Sequence, residues 1–188
     1  MKILLIGEYS NVHWTLSQGL RALGHEVTVL SDGDSWKNYP RDLDLKRVSY
    51  NHLDGLHYLI RLIRLLPHLR GFDVVQLINP MFLEIKAERI LPIYKYLRRN
   101  NKRVFLGAYG MDRYWVMAGC DGKSFRYSDF NFGNQLRESA EITQWKNEWL
   151  LGSKGVLNQY IAEDCDGIIA GLYEYWKSYY PHFSNKTT

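Results

Sequence analysis

The chain opens on an unbroken apolar run, Ile3-Leu4-Leu5-Ile6, with no polar residue alternating into it. A strand with one wet face alternates, so Lys2–Ile6 predicts a parallel strand covered on both faces. Val12, Leu16, Leu20 and Leu23 then recur at helical spacing, and Gly24 follows as a stop. Residues 25–30 predict a second strand, closed by the turn cluster Ser31-Asp32-Gly33-Asp34. Residues 43–50 predict a third, peripheral strand. Residues 56–71 predict a helix at least as far as Leu66, with Pro67 ending or kinking it. A buried strand over 72–80 stops at Asn79-Pro80. A helix over 82–101 carries Pro92 inside it, so it is kinked or split. Residues 102–110 predict another strand, and residues 110–135 show no clear period. Residues 136–165 are mostly helical, in two pieces around Gly152. A short strand (166–171) and a last helix (172–180) complete the pattern.

Strand and helix alternate throughout, which predicts an α/β fold: a doubly wound, Rossmann-like three-layer sandwich with a mostly parallel sheet of about six strands. The 188 residues suit a single domain. Ligands of such sheets sit beyond the carboxyl ends of the strands. Those ends are Gly7 to Asn11, Ser31 to Gly33, Asn79-Pro80, Gly107 to Asp112, and Gly171.

Composition changes this picture little. Hydrophobic residues make up 46% and charged residues 23%, as in an ordinary globular chain. No apolar run approaches the ~20 residues of a membrane span. The first apolar run is also too short for a signal peptide. Cys120 and Cys165 form neither a metal-type spacing nor a disulfide framework, which points to a reducing cytoplasm. The net charge of +4 permits attraction to phosphates or anionic lipid and implies no nucleic-acid partner. The six histidines are scattered away from cysteines and acids, so no metal is expected.

Several short motifs fail on context. A dinucleotide site needs G-x-G-x-x-G, so that backbone amides reach the pyrophosphate. Here Gly7 stands alone, and Glu8 would place a negative charge beside the phosphates. Gly122-Lys123-Ser124 lacks the upstream glycine of a phosphate loop, where Met117 stands, and sits mid-loop. Tyr173 and Lys177 match the Y-x-x-x-K pair of short-chain reductases, but without the cofactor fingerprint an amphipathic helix is the better account. His57, Arg61, Arg64 and His68 form a basic stripe on an apolar helix. It is either the solvated face of a packed helix or a contact for an anionic membrane, with Arg61 and Arg64 as the candidate residues. The segment after Gly107 carries Tyr109, Tyr114, Trp115, Phe125, Tyr127, Phe130 and Phe132. Aromatic faces beside polar groups suit sugars, and the same rings can equally pack the segment onto the domain.

The pattern resembles the N-terminal half of a two-domain glycosyltransferase of the GT-B architecture, especially its large retaining family. The pieces that carry the likeness are "MKILLIG", "LSQGLRALGHEVTVLSDG", "DVVQLINP", "RVFLGAYGMD" and "DCDGIIAG". Where that family often has a histidine before the glycine at the fifth-strand end, this chain has Tyr109 before Gly110. The resemblance implies that this domain, residues 1–188, holds a saccharide or lipid-linked acceptor. A C-terminal domain, absent from this chain, would then hold the nucleotide-sugar donor with a pair of glutamates eight residues apart, a pair this chain lacks. The donor is a substrate and no cofactor is implied. Transfer would go from the nucleotide sugar to a hydroxyl. Asp112 and His13 are the candidates to orient or deprotonate the acceptor. Gly7, Glu8, Tyr9, Asn11, Asn79, Tyr109 and Gly110 are candidates to line the cleft, and Arg113 to contact an acceptor phosphate. The rival reading is a Rossmann-like small-molecule binding module without catalysis.

Overall fold

The computed structural model describes residues 1–49 and 51–188. Six strands form one sheet, all parallel: β1 (Lys2–Ile6), β2 (Glu26–Ser31), β3 (Leu43–Asp44), β4 (Val74–Leu77), β5 (Val104–Ala108) and, after three short strands described below, β9 (Gly167–Ala170). Their order is β3-β2-β1-β4-β5-β9. The chain therefore starts in the middle, winds outward one way, and crosses back beside β1 to wind the other way, the Rossmann-like order. Parallel registers such as Lys2↔Glu26 and Ile3↔Val74 tie β1 to both neighbours.

Alternation along β1 sorts its side chains between the two faces. Ile3 and Leu5 join Val27 and Val29 under helix α1 (Val12–Ala22), with Trp14, Leu16 and Leu20 packed on them. Leu4 and Ile6 belong to the larger core, shared with helices α2 (His52–Leu65) and α3 (Ala87–Asn100) and with a later helix, α6 (Ser153–Asp164). Burying Ile90, Tyr94 and Leu97 of α3 there contributes about 1.5–3 kcal/mol per side chain. Tyr94 also donates its hydroxyl to Asp164, at 2.8 Å, linking α3 to α6.

Four elements differ from expectation, each for a local reason. The third strand is only Leu43–Asp44, because Asp44 accepts from Lys46 N (2.9 Å) and turns the chain away; Tyr50, the end of the expected strand, lies outside the described residues. Helix α2 begins four residues early, since the Asn51 side chain accepts from Asp54 N at 2.8 Å and caps it. Helix α3 begins only at Ala87 and runs unbroken past Pro92. Phe82 and Leu83 before it are buried in the core rather than placed on a helix face. The segment without period contains helix α4 (Arg113–Cys120), capped by Asp112, and a small antiparallel meander of β6 (Tyr127–Ser128), β7 (Asn131–Phe132) and β8 (Gln135–Leu136).

The two helical pieces around Gly152 are as expected. Helix α5 (Ala140–Lys146) runs into a π-helical turn, Asn147–Leu151, before α6 starts at Ser153. Helix α7 (Tyr173–Phe183) follows β9. Of the aromatics of the segment after Gly107, Trp115 and Phe130 help build a second core, Tyr114 joins the main one, and Tyr127 and Phe132 are exposed. Phe130 is fully buried, with Trp115 at 5.4 Å and Trp145 at 5.8 Å between ring centres, and Tyr114 packs on Tyr179 at 4.6 Å.

Candidate functional site

The strand order reverses between β1 and β4, and a crevice opens there at their carboxyl ends. Gly7 makes the first turn. Its φ is +85°, and a Cβ would lie 2.2 Å from Ile78 Cγ2, so only glycine fits under the end of β4. Ser10 and Asn11 follow in left-handed conformations, φ 50° and 66°, at a cost of about 1–2 kcal/mol each. This strained loop folds Glu8 back onto the start of α1. The Glu8 carboxylate accepts from His13 N at 3.1 Å and from Trp14 N at 2.8 Å. These are amides of the helix end on which a dinucleotide fold sets its pyrophosphate. Here the protein's own carboxylate occupies them. Asp34 similarly accepts from Ser10 N at 2.8 Å, and Lys37 pairs with Asp34 at 2.7 Å. Burial raises the Glu8 pKa against the pull of those helix amides.

Beneath this loop a buried polar line crosses three strands. His13 Nδ1 lies 2.8 Å from the Gly7 carbonyl, which can only accept, so the proton sits on Nδ1. The bare Nε2 then faces the Gln76 amide at 3.4 Å, and the same amide donates to the Tyr109 hydroxyl at 3.2 Å. His13 is completely buried; burial lowers its pKa to about 4, and it stays neutral. The Tyr109 ring is held where β9 ends: a Cβ on Gly171 would come within 2.3 Å of it.

Above the line lies a cleft of about 980 Å³. Tyr9, Asn79, Tyr109 and Gly110 line it, together with Met81, Ile85 and Met111, and Trp149 from the π-helical turn. Asn79 is buried; its side-chain Oδ1 accepts from Met81 N at 2.6 Å, and the same side chain hydrogen-bonds the Tyr9 hydroxyl. Charge of both signs surrounds the cleft. Lys37, Arg47, Lys86 and Lys154 face it alongside Asp34, Glu84 and Glu88. Some of that charge is already engaged. Lys154 pairs with Glu148 at 2.5 Å, Glu88 hydrogen-bonds the Ser153 side chain, and Arg47 donates to the Ser49 and Glu84 carbonyls. The first residues of α3 and α6 meet at the cleft, and neither helix has a side-chain cap. Among the described residues no group of three or more His, Cys, Asp or Glu is placed to hold a metal.

No family model matches the chain, and neither the curated proteins nor the solved structures give a match.

Of the ten residues expected at the site, the cleft gathers four: Tyr9, Asn79, Tyr109 and Gly110. Gly7 and Glu8 border a separate hollow of only about 20 Å³ behind it. Asn11 begins α1 and reaches Thr15 at 3.3 Å. His13 does not face the cleft, because the helix start turns its ring inward onto Gly7 and Gln76. Asp112 is also fully buried. It accepts from Trp115 N (2.9 Å) and from the Tyr179 hydroxyl (2.7 Å), and burial raises its pKa to about 6. Asp112, expected to orient or deprotonate an acceptor, thus does not line the cleft: it caps α4 and anchors α7. Arg113 lines a different hollow, and its guanidinium is bound to the Leu150 carbonyl at 2.9 Å. The residues that sequence reading missed are chiefly those of 81–88, Trp149 and Lys154. Asn79-Pro80 and Gly152 mark where they sit, as breaks in the pattern.

Proposed function

We propose that the cleft receives the hydroxyl-bearing acceptor, saccharide or lipid-linked, of a glycosyltransferase of GT-B type. The nucleotide-sugar donor is held elsewhere, by a second domain of the same polypeptide. The observation that carries this reading is the Glu8 carboxylate on the α1 amides, which removes the principal pyrophosphate site from a sheet otherwise built for one. The cleft lining also suits a polyol. Tyr9, Tyr109 and Trp149 offer aromatic surface, while Asp34, Glu84, Glu88 and Lys86 offer groups of both hydrogen-bonding senses. Tyr109 receives the Gln76 amide, and no described hydrogen bond uses its own proton. With its pKa raised by burial, it keeps that proton for a ligand oxygen. In this reading Asp112 and His13 position α4 and the loop after β1, and the acceptor is oriented by the residues that line the cleft.

The second reading is a small-molecule binding module without catalysis. One observation favours it: both groups expected to move a proton, His13 and Asp112, are wholly buried and bonded internally.

The first reading places a hydroxyl-rich ligand in the cleft, and the first test is of that ligand. Short oligosaccharides titrated into the chain should shift amide resonances of residues 79–88 and 109–111, with millimolar affinity, and Tyr109→Phe should weaken the effect. Shifts confined to other regions, or none, would remove the saccharide from the proposal.

A further inference from the structure

Helix α2 turns a wholly aliphatic ridge to solvent. Tyr58 and Leu62 are buried against the core, while Leu53, Leu56, Ile60 and Ile63 are 71, 55, 37 and 61% exposed. These four follow i, i+3, i+7, i+10, so they form one stripe along about three turns. Single exposed aliphatics need no explanation, but a contiguous ridge on one helix marks an interaction surface.

The charge beside the ridge selects its partner. Arg64 lies one turn beyond Ile60 and is exposed. On the other flank, Lys86 and Arg89 share a groove with Leu56 and Leu59. None of these three cations makes an ion pair among the described residues. Of the nearby acids, Asp54 accepts from Ser49 and Asn51 caps its amide, while Glu88 bonds Ser153 and feels the charge of Lys86 and Arg89 without a close ion pair to either. Arg61, expected in the same role as Arg64, instead donates to the Asp44 and Lys46 carbonyls and braces the loop before the helix.

We infer that the Leu53–Leu56–Ile60–Ile63 ridge of α2, rimmed by Arg64, Lys86 and Arg89, lies in the surface of an anionic lipid bilayer. The aliphatic side chains enter the boundary between headgroups and acyl chains, and the cations meet lipid phosphates. A second copy of the chain is a poorer occupant, because a two-fold contact through this face would set the cationic rims against each other. Arg47, Ile85 and Lys86 line both this groove and the cleft, so the cleft opens beside the membrane-facing surface. This inference does not depend on what the cleft holds.

Flotation of the full chain with vesicles tests it. Vesicles of phosphatidylcholine containing phosphatidylglycerol should capture the chain, phosphatidylcholine alone should capture little, and added salt should release it. Arg64→Gln with Arg89→Gln should weaken capture roughly thirtyfold. Leu56→Gln with Ile60→Gln should weaken it about tenfold or more. The altered side chains are exposed, so melting temperatures should stay at the native value. Absence of capture by the native chain, or capture that either pair leaves unchanged, would overturn the inference. So would a dimer in sedimentation that Leu56→Gln with Ile60→Gln dissolves while vesicles capture nothing.

Discussion

Two buried ionisable residues hold their charge states against solvent in opposite directions. Asp112 titrates near 6 in the folded chain against an ordinary 3.8, so the folded state keeps a proton that the unfolded chain has released. Its contribution to stability is present in acid and is lost as pH rises through about 6. His13 titrates near 4 against an ordinary 6.5, so the unfolded chain takes up a proton that the folded chain refuses. Its contribution is present above 6.5 and is lost as pH falls toward 4. Between about pH 4 and 6 the two oppose each other, and single substitutions separate them. The melting temperature of Asp112→Asn minus that of the native chain should rise with pH across this window. The same difference for His13→Asn should fall. Taking differences cancels the other titrating groups, and a flat difference for either variant would contradict the burial argument for that residue. Glu8 shows why such residues are hard to assign from sequence. A glutamate after a strand-ending glycine reads as a cleft residue. Only the left-handed Ser10 and Asn11 reveal that it is folded back onto the helix it precedes.

Elements were legible where hydrophobic period and buried face coincide. β1, β2, β4 and β5 stand out because both faces of each are covered, so apolar residues dominate their runs, unbroken in β1 and interrupted only by single polar residues inside β2 and β4. Elements whose boundaries depend on capping or on short-range turns were not legible in detail. The start of α2 depends on Asn51, which no periodicity marks. Helix α4 is eight residues long and too short to show a period, and the meander strands have two residues each. In 82–86 apolar residues serve the core from an irregular loop, which imitates a helix face. Asn51→Ala should lower the unfolding free energy by about 1 kcal/mol, measured by urea titration, with the slope unchanged. A loss within error of zero would mean that α2 does not depend on its cap.

For the molecule as a whole, the parallel sheet, its strand order and the position of the cleft all follow from the central first strand and the reversal beside it. Sequence pattern foretold the sheet, and Tyr9, Asn79, Tyr109 and Gly110 as its rim. The lining from 81–88, Trp149 and Lys154 comes from segments far apart in sequence that only packing brings together. No helix among the described residues is long and apolar enough to cross a membrane. The α2 ridge instead suits a contact that lies on a bilayer surface. At the centre of the account is a Rossmann-like sheet whose phosphate-receiving helix end is filled by its own Glu8 carboxylate. Calorimetric titration of the chain with NAD and with a nucleotide sugar such as UDP-glucose tests that most directly. The account predicts no saturable heat for either ligand. Tight, one-to-one uptake of either by these residues would contradict it.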